Sequence, residues 1–232
     1  MATSNVRLSV IGIVNEVQRK LGVDPTTTLT KNKQTTVLLD MLNDTIIECS
    51  DFDDWQEMYR EVDVTASSSV AAYEIDASAE VKRVFEIVFD GDAASMEVRN
   101  IEDIRRLQRI TSFGQPRQFA IVGVSGVNML FRPYPVPGSN QNNKTFNVAF
   151  YKQPNLLLTT DVSAIPAFPS RVLVAGLYSK ALLEETGGAP TTQYQAALAV
   201  YVRTRKEAVN RYNADTGTDT YFYPMGKNSR RG

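Results

Sequence analysis

The chain contains no histidine and only one cysteine, Cys49, among its 232 residues. The absence of histidine excludes Ser-His-Asp and Cys-His nucleophilic sites, HExxH zinc proteases and the usual general base near neutral pH. A single cysteine cannot form an internal disulfide or a CxxC metal site, so the sequence is compatible with a reducing compartment. Cys49 falls on an apolar helical stripe, which favours a buried side chain over a reactive thiol. We therefore expect neither a cofactor nor a catalytic residue.

Long apolar runs and an excess of one charge are also absent. No stretch approaches the ~18 consecutive apolar residues of a membrane-spanning helix, and the N-terminus lacks the basic and apolar regions of a signal peptide. The 25 basic and 26 acidic residues give a formal net charge of −1. Whole-chain electrostatics therefore predict no tight binding to nucleic acid or membrane, and we expect a soluble protein with no membrane partner.

Four segments have apolar residues at spacings of three and four, the period of an amphipathic helix. The first pair covers residues 4–21, with Ser4 or Asn5 as the N-cap, and about 33–50. The second pair follows Pro169 and Pro190 and covers about 170–186 and 190–213. Each helix has an apolar face that requires a packing partner, so we expect the two pairs to pack together.

The region between the helix pairs alternates apolar and polar residues, which is the pattern of half-buried strands. A short helix interrupts it at 101–109, with Ile104 and Leu107 facing inward. The predicted strands are 58–64, 70–76, 81–89, 95–99, 118–124, 127–134 and 145–152. Nine aromatic residues are predicted to form the sheet core: Tyr59, Tyr73, Phe85, Phe89, Phe119, Phe131, Phe146, Phe150 and Tyr151.

The order of these segments predicts an α+β fold, in which N- and C-terminal helix pairs form a helical bundle around an inserted antiparallel strand-rich lobe. The predicted domains are a discontinuous bundle of residues 1–54 and 155–213, an insertion of residues 55–154, and an extended C-terminal tail of residues 214–232.

Charge is distributed unevenly along the chain. Residues 40–80 contain twelve acids and one base, a local charge of −11, whereas residues 203–211 contain four bases and one acid, a local charge of +3. Complementary patches can join identical subunits head to tail in a ring, although both regions could equally be solvated faces. The candidate intersubunit or channel-lining charges are Asp51, Asp53, Asp54, Glu57, Arg203, Arg205, Lys206 and Arg211.

The acids of residues 51–54 also permit a metal-binding or catalytic interpretation, because clustered carboxylates bind hard cations and can divide acid and base roles. The segment lacks the glycine and closing glutamate of an EF-hand loop, so we favour a structural role and predict no metal site. Two alternatives remain open. They are a carboxylate hydrolase of cell-wall glycans that uses these acids or Glu57, and a glycan-binding module on the strand-rich segment.

The C-terminal tail combines bulky side chains with a basic end. Disordered ends rarely concentrate aromatic residues, so we interpret the tail as a docking peptide that becomes ordered in a partner's groove. The alternatives are a purification remnant and a tail folded back on its own bundle. The candidate docking residues are Tyr221, Phe222, Tyr223, Pro224, Met225, Lys227, Arg230 and Arg231.

Four short motifs follow one another along the chain: the acidic Asp-Phe-Asp-Asp-Trp at 51–55, Arg-Pro-Tyr-Pro at 132–135, Phe-Tyr-Lys-Gln-Pro at 150–154 and Ile-Pro-Ala-Phe-Pro at 165–169. Together with the helix pairs around them, they make nearly the full chain similar to the head-to-tail adaptor proteins of short-tailed bacteriophages, also called tail tubular protein A.

This resemblance implies a structural, non-enzymatic protein of the virion neck that assembles in the host cytoplasm. Adaptors of this family form a ring, usually of twelve copies, beneath the portal, and they receive the tail nozzle below. The implied partners are further copies of the chain, the portal protein, the nozzle protein and tail fibres, with non-specific passage of DNA through the channel. The family's C-terminal segment commonly reaches into the portal, which matches Tyr221–Met225.

Overall fold

The structure is a computed structural model that describes residues 7–30, 33–75, 80–90, 92, 94–110, 112–125 and 128–215. It contains helices and sheets in one chain, which confirms the predicted mixed α+β class. The helices of the described residues are α1 (Val10–Lys20), α2 (Lys33–Phe52), α3 (Ile101–Gln108), α4 (Ser170–Glu185) and α5 (Thr192–Asp215). The strands are β1 (Tyr59–Thr65), β2 (Tyr73–Ile75), β3 (Val81–Phe89), β4 (Glu97–Val98), β5 (Phe113–Gly114), β6 (Gln118–Ser125), β7 (Asn128–Tyr134), β8 (Val136–Pro137) and β9 (Thr145–Lys152).

The chain divides into two compact units. The helical unit consists of residues 1–56 and 156–232 and contains α1, α2, α4 and α5. The strand-rich unit consists of residues 57–155 and contains α3 and the strands β1 to β9. The sequence-based domains stay a prediction.

Helix α4 is the centre of the helical unit, since it packs against α1, α2 and α5. Helices α2, α4 and α5 come close together at Gly176. A Cβ atom there would overlap Thr45 Cγ2 on α2 and would lie 2.9 Å from Tyr201 Cε2 on α5. Only glycine therefore fits this crossing without a shift of its neighbours. Among the described residues, no helix combines the length and hydropathy that crossing a membrane requires.

Helix α1 begins later than the sequence predicts. Ser9 is its N-cap and accepts a hydrogen bond from the Gly12 N–H, whereas residues 7–9 are not helical, so the predicted start near residue 4 is wrong. Tertiary contacts hold this entry segment in place. The Leu8 N–H donates to Ser170 Oγ at 2.7 Å, and the Val10 N–H donates to the Ala164 carbonyl at 2.8 Å. These long-range bonds compete with the helix period, which sequence reasoning alone extends too far.

The described residues of the strand-rich unit form three sheets beside α3. The strand orders are β1-β9-β3, β2-β7-β6-β4 and β5-β8. Most pairs are antiparallel, as predicted, but the short pairs β4-β6 and β5-β8 are parallel. The predicted short helix is confirmed as α3, which Asn100 caps and whose Ile104 side chain is buried.

The aromatic core of this unit is confirmed for six of the nine predicted side chains and is wrong for Phe85, which is 54% exposed. Phe85 is the extra residue of an irregularity in β3, because Val84 pairs with Phe150 while Glu86 pairs with the preceding Ala149. Such a bulge interrupts the alternation of the strand, so the Phe85 side chain points away from the core instead of into it. Tyr59 and Tyr151 are only half-buried. The buried aromatic residues are Tyr73, Phe89, Phe119, Phe131, Phe146 and Phe150.

Candidate interaction surfaces

The acidic block, which is the set of acids within residues 40–80, extends over both units. Four of its acids, Asp40, Asp44, Glu48 and Asp51, are exposed on α2. Their spacings of four, four and three place them along one face of the helix. The block continues in the strand-rich unit, for example at Glu61 and Asp63 on β1. Its helical part is therefore a single acidic stripe, which we call the α2 acidic stripe.

Two further acids follow the stripe directly after the end of α2. Asp53 and Asp54 are half-buried, and Asp53 Oδ1 accepts the Asp54 N–H at 2.7 Å. The buried Trp55 indole N–H donates to the Cys49 carbonyl at 2.7 Å, while its ring packs edge-on against Phe168 at 5.4 Å. This bond satisfies a carbonyl that the end of the helix would otherwise leave unpaired. The described residues contain no group of three or more His, Cys, Asp or Glu that could hold a metal ion.

A polar cluster joins α2, α4 and α5 beside this end of α2. Glu48 accepts hydrogen bonds from Lys180 Nζ at 2.6 Å and from Tyr201 Oη at 3.3 Å. Tyr201 is 3% exposed, and its hydroxyl lies 3.6 Å from the buried Cys49 sulfur. Burial is the main cause that raises the pKa of Tyr201, with the neighbouring Cys49 as a second cause. The phenol and the thiol are thus neutral groups that link three helices.

Cys49 is expected to be unreactive in the folded protein. Burial raises the pKa of its thiol from 9.0 to about 11, so the thiolate fraction at pH 8 falls by about 100-fold relative to an unperturbed thiol. We expect Ellman's reagent to modify Cys49 at least about 100-fold more slowly in buffer than in denaturant at pH 8. Equal rates in the two solvents would contradict the buried position of this thiol.

The predicted basic residues of α5 have different environments. The guanidinium of Arg205 lies 3.9 Å from the centre of the Phe52 ring and packs within the subunit. Arg203, Lys206 and Arg211 are exposed. Arg203 Nε lies 3.7 Å from Glu207 Oε1. The exposed bases therefore form a positive face of α5. Arg205 is not part of this face, because its guanidinium packs on the Phe52 ring.

An apolar groove of about 740 Å³ runs between α1, α4 and α5. Val174 and Ala175 of α4 and Ala196, Ala197 and Val200 of α5 supply most of its apolar lining. Polar side chains border it, among them Glu16, Lys20, Arg171, Tyr178 and Gln193. Thr204 also lines the groove and is buried, yet its hydroxyl has no hydrogen-bond partner among the described residues.

The groove is a feature that sequence reasoning missed. Along the predicted helix of residues 190–213, the sequence predicts a packing stripe on one side that includes Ala197, Leu198 and Tyr201. Ala197 and Tyr201 are buried, while Leu198 is 36% exposed. Val200 lies outside that stripe and is 45% exposed. Val200 was the sequence signal that could have revealed the groove. It is an apolar residue on a second face of the helix, whereas a helix with one packing partner needs only one apolar face. The predicted docking residues of the tail, from Tyr221 to Arg231, lie outside the described residues.

Comparison with known proteins gives one family. The family model described as SU10 adaptor protein matches residues 9–227, a range that covers nearly the whole chain and includes both compact units. The match confirms the resemblance to phage head-to-tail adaptors. No curated protein matches the chain.

Proposed function

The chain belongs to the SU10 adaptor protein family, and from this membership we propose that it forms a ring between the portal and the tail nozzle of a phage virion. Proteins of this family are structural components of the virion rather than enzymes. The family match over residues 9–227 is the observation that carries the proposal. In this proposal, the helices form a bundle that builds a ring, usually of twelve copies, while the strand-rich unit forms a lobe. DNA passes through the central channel without sequence recognition.

Three surfaces of the helical unit support contact between identical copies. The α2 acidic stripe and the exposed Arg203, Lys206 and Arg211 of α5 carry opposite charges on one subunit. Opposite patches at different positions favour a heterologous interface, which closes into a ring when the rotation between copies permits. The apolar groove offers the desolvated centre that a stable interface requires. We propose that a neighbouring copy covers the groove.

The substitution Val200→Glu tests this interface, because Val200 lines the groove and is 45% exposed in the single chain. A carboxylate there would be buried by the neighbouring copy without a designed partner, which costs several kcal/mol per contact, on the order of 2–5. We expect the variant to remain folded but to fail to form rings when mixed with the portal protein of the same virus. Native mass spectrometry of the mixture measures the number of bound copies.

The matched control is Ala199→Glu, which adds the same charge at an exposed neighbouring position that does not line the groove. The control should assemble as the wild type does. Normal rings from Val200→Glu, at protein concentrations that assemble the wild type, would remove the groove from the proposed interface.

No specific observation favours the enzymatic alternative or the glycan-binding alternative. Asp53 and Asp54 directly follow α2, and Glu57 is the first residue of the strand-rich unit. None of them lines the apolar groove. The exposed Phe85 meets Tyr151 edge-on, with 83° between the ring planes, so these two rings do not form one flat stacking surface. The adaptor proposal therefore stands alone.

A further inference from the structure

A basic cleft lies in the strand-rich unit and shares no residue with the apolar groove or the α2 acidic stripe. It has a volume of about 370 Å³ and is bordered by the end of α3, by β5, β7 and β8, and by the segment at residues 69–71. Three arginines, Arg105, Arg109 and Arg132, line it together with Gln108 and Phe113, and none of the described residues that line it carries a carboxylate. The cleft is thus a concave region of concentrated positive charge.

The base of the cleft is held in a fixed arrangement. Gln108 Nε2 donates to the Pro133 carbonyl at 3.1 Å, and its Oε1 accepts a hydrogen bond from Arg132 Nη1 at 3.3 Å. Arg132 is half-buried, and its Nε has no hydrogen-bond partner among the described residues. A guanidinium with an unused buried donor is incompletely satisfied, which is costly unless another group completes its bonding.

The mouth of the cleft combines exposed cations with apolar surface. Arg105 lies on α3, and Arg109, one turn later, is the C-cap of that helix. Both side chains are exposed. Phe113, which also lines the cleft, is 56% exposed, and the nearby Ile110 is 75% exposed. Arginine and aromatic side chains beside each other are typical of anchor points in protein interfaces.

We propose that this cleft binds an acidic segment of a partner protein, in which carboxylates pair with the arginines and an adjacent apolar side chain packs on Phe113. Guanidinium groups bind carboxylates through paired, charge-assisted hydrogen bonds, and clusters of arginines recognise acidic motifs in this way. The site lies in the strand-rich unit and does not depend on the ring or on the groove. It gives the protein a second docking surface.

The distribution of charge around the cleft favours a peptide over nucleic acid. A nucleic acid backbone is bound along a row of phosphates and needs an extended positive surface. Here Glu102 and Asp103 are exposed in the first turn of α3, and the exposed Glu97 precedes that helix. The positive region is therefore short, and it matches one or two carboxylates better than a continuous phosphate chain.

The experiment measures binding of a labelled peptide, acetyl-(Asp-Leu)₃, by fluorescence anisotropy with the full-length protein at low salt. We expect saturable binding with a dissociation constant below about 1 mM, which weakens as salt is added. The double variant Arg105→Gln/Arg109→Gln should lower the affinity at least about tenfold, because two charge-assisted contacts are lost. Both side chains are exposed, so circular dichroism should show an unchanged fold.

The control variant is Arg106→Gln/Arg117→Gln, which removes the same charge from two exposed arginines that do not line the cleft. It should bind the acidic peptide as the wild type does. Equal binding of the neutral peptide acetyl-(Asn-Leu)₃, equal loss in the control variant, or the absence of saturable binding would each overturn the proposal. Binding of oligo(dT) or duplex DNA through Arg105 and Arg109, without binding of the peptide, would assign the cleft to nucleic acid instead.

Discussion

Deletion of residues 216–232 is expected to abolish attachment of the protein to the portal while the helical and strand-rich units remain folded. The deletion begins after the last residue of α5, Asp215, so it removes no helix or strand that the structure describes. It removes the aromatic group Tyr221–Tyr223 and the basic residues Lys227, Arg230 and Arg231. A segment that becomes ordered on its partner gains its binding energy from such bulky anchors, so its loss should leave little affinity.

Co-sedimentation with purified portal protein of the same virus, followed by calorimetry, measures this attachment. We expect the affinity to fall at least about 100-fold, the loss that corresponds to one or two interface anchors. A shorter deletion, of residues 226–232, keeps the aromatic group and removes only the basic end, and it should lower affinity less and in a salt-dependent way. If the chain ending at residue 215 binds portal as tightly as the full chain, the tail is not the docking element.

The substitution Gly176→Ala is expected to destabilise the helical unit strongly, although it adds only one methyl group. The added Cβ would overlap Thr45 Cγ2 and lie 2.9 Å from Tyr201 Cε2, where α2, α4 and α5 meet. Two of the three helices must move apart, which costs about 1–3 kcal/mol for overpacking and more if the Tyr201 hydrogen bonds to Glu48 and Cys49 are also disturbed. The expected decrease in melting temperature is roughly 2–12 °C for a chain of this size.

The same substitution at Gly12 is the matched control. Gly12 lies in the first turn of α1, and a Cβ there would meet its nearest neighbours at 3.4 Å, an ordinary contact. Alanine has the higher helix propensity by roughly 0.5–1 kcal/mol, so Gly12→Ala should leave stability unchanged or raise it. Calorimetric melting of both variants tests the comparison, and an unchanged melting temperature for Gly176→Ala would show that the three helices separate there at no cost.

Local patterns in the sequence were sufficient to predict most of the elements. The period of apolar residues in α2 and the alternation in β3 and β9 depend on neighbours within a few positions, and strands β3 and β9 have the predicted limits. Composition was equally direct. A chain without histidine cannot form a Ser-His-Asp or Cys-His catalytic site, and the order of four short motifs indicated the adaptor family that the family match confirms.

The direction of individual side chains was less predictable from sequence. Phe85 keeps the alternating pattern but lies at a bulge, and only the pairing of β3 with β9 reveals that it faces outward. Arg205 belongs to a basic helix in the sequence, yet its contact with Phe52 on α2 places it within the subunit. In both cases the decisive partner is distant along the chain, so no local pattern contains it.

For the candidate surfaces, the difference between what the sequence predicts and what the structure shows is larger. The sequence by itself determined the element types, the uneven charge and the aromatic tail, because each is a property of residues close together in the chain. Only the tertiary structure decided that α1, α4 and α5 enclose an apolar groove and that Arg105, Arg109 and Arg132 share one cleft. The physical reason is that packing joins segments tens of residues apart, and shape and charge at a surface depend on those long-range contacts.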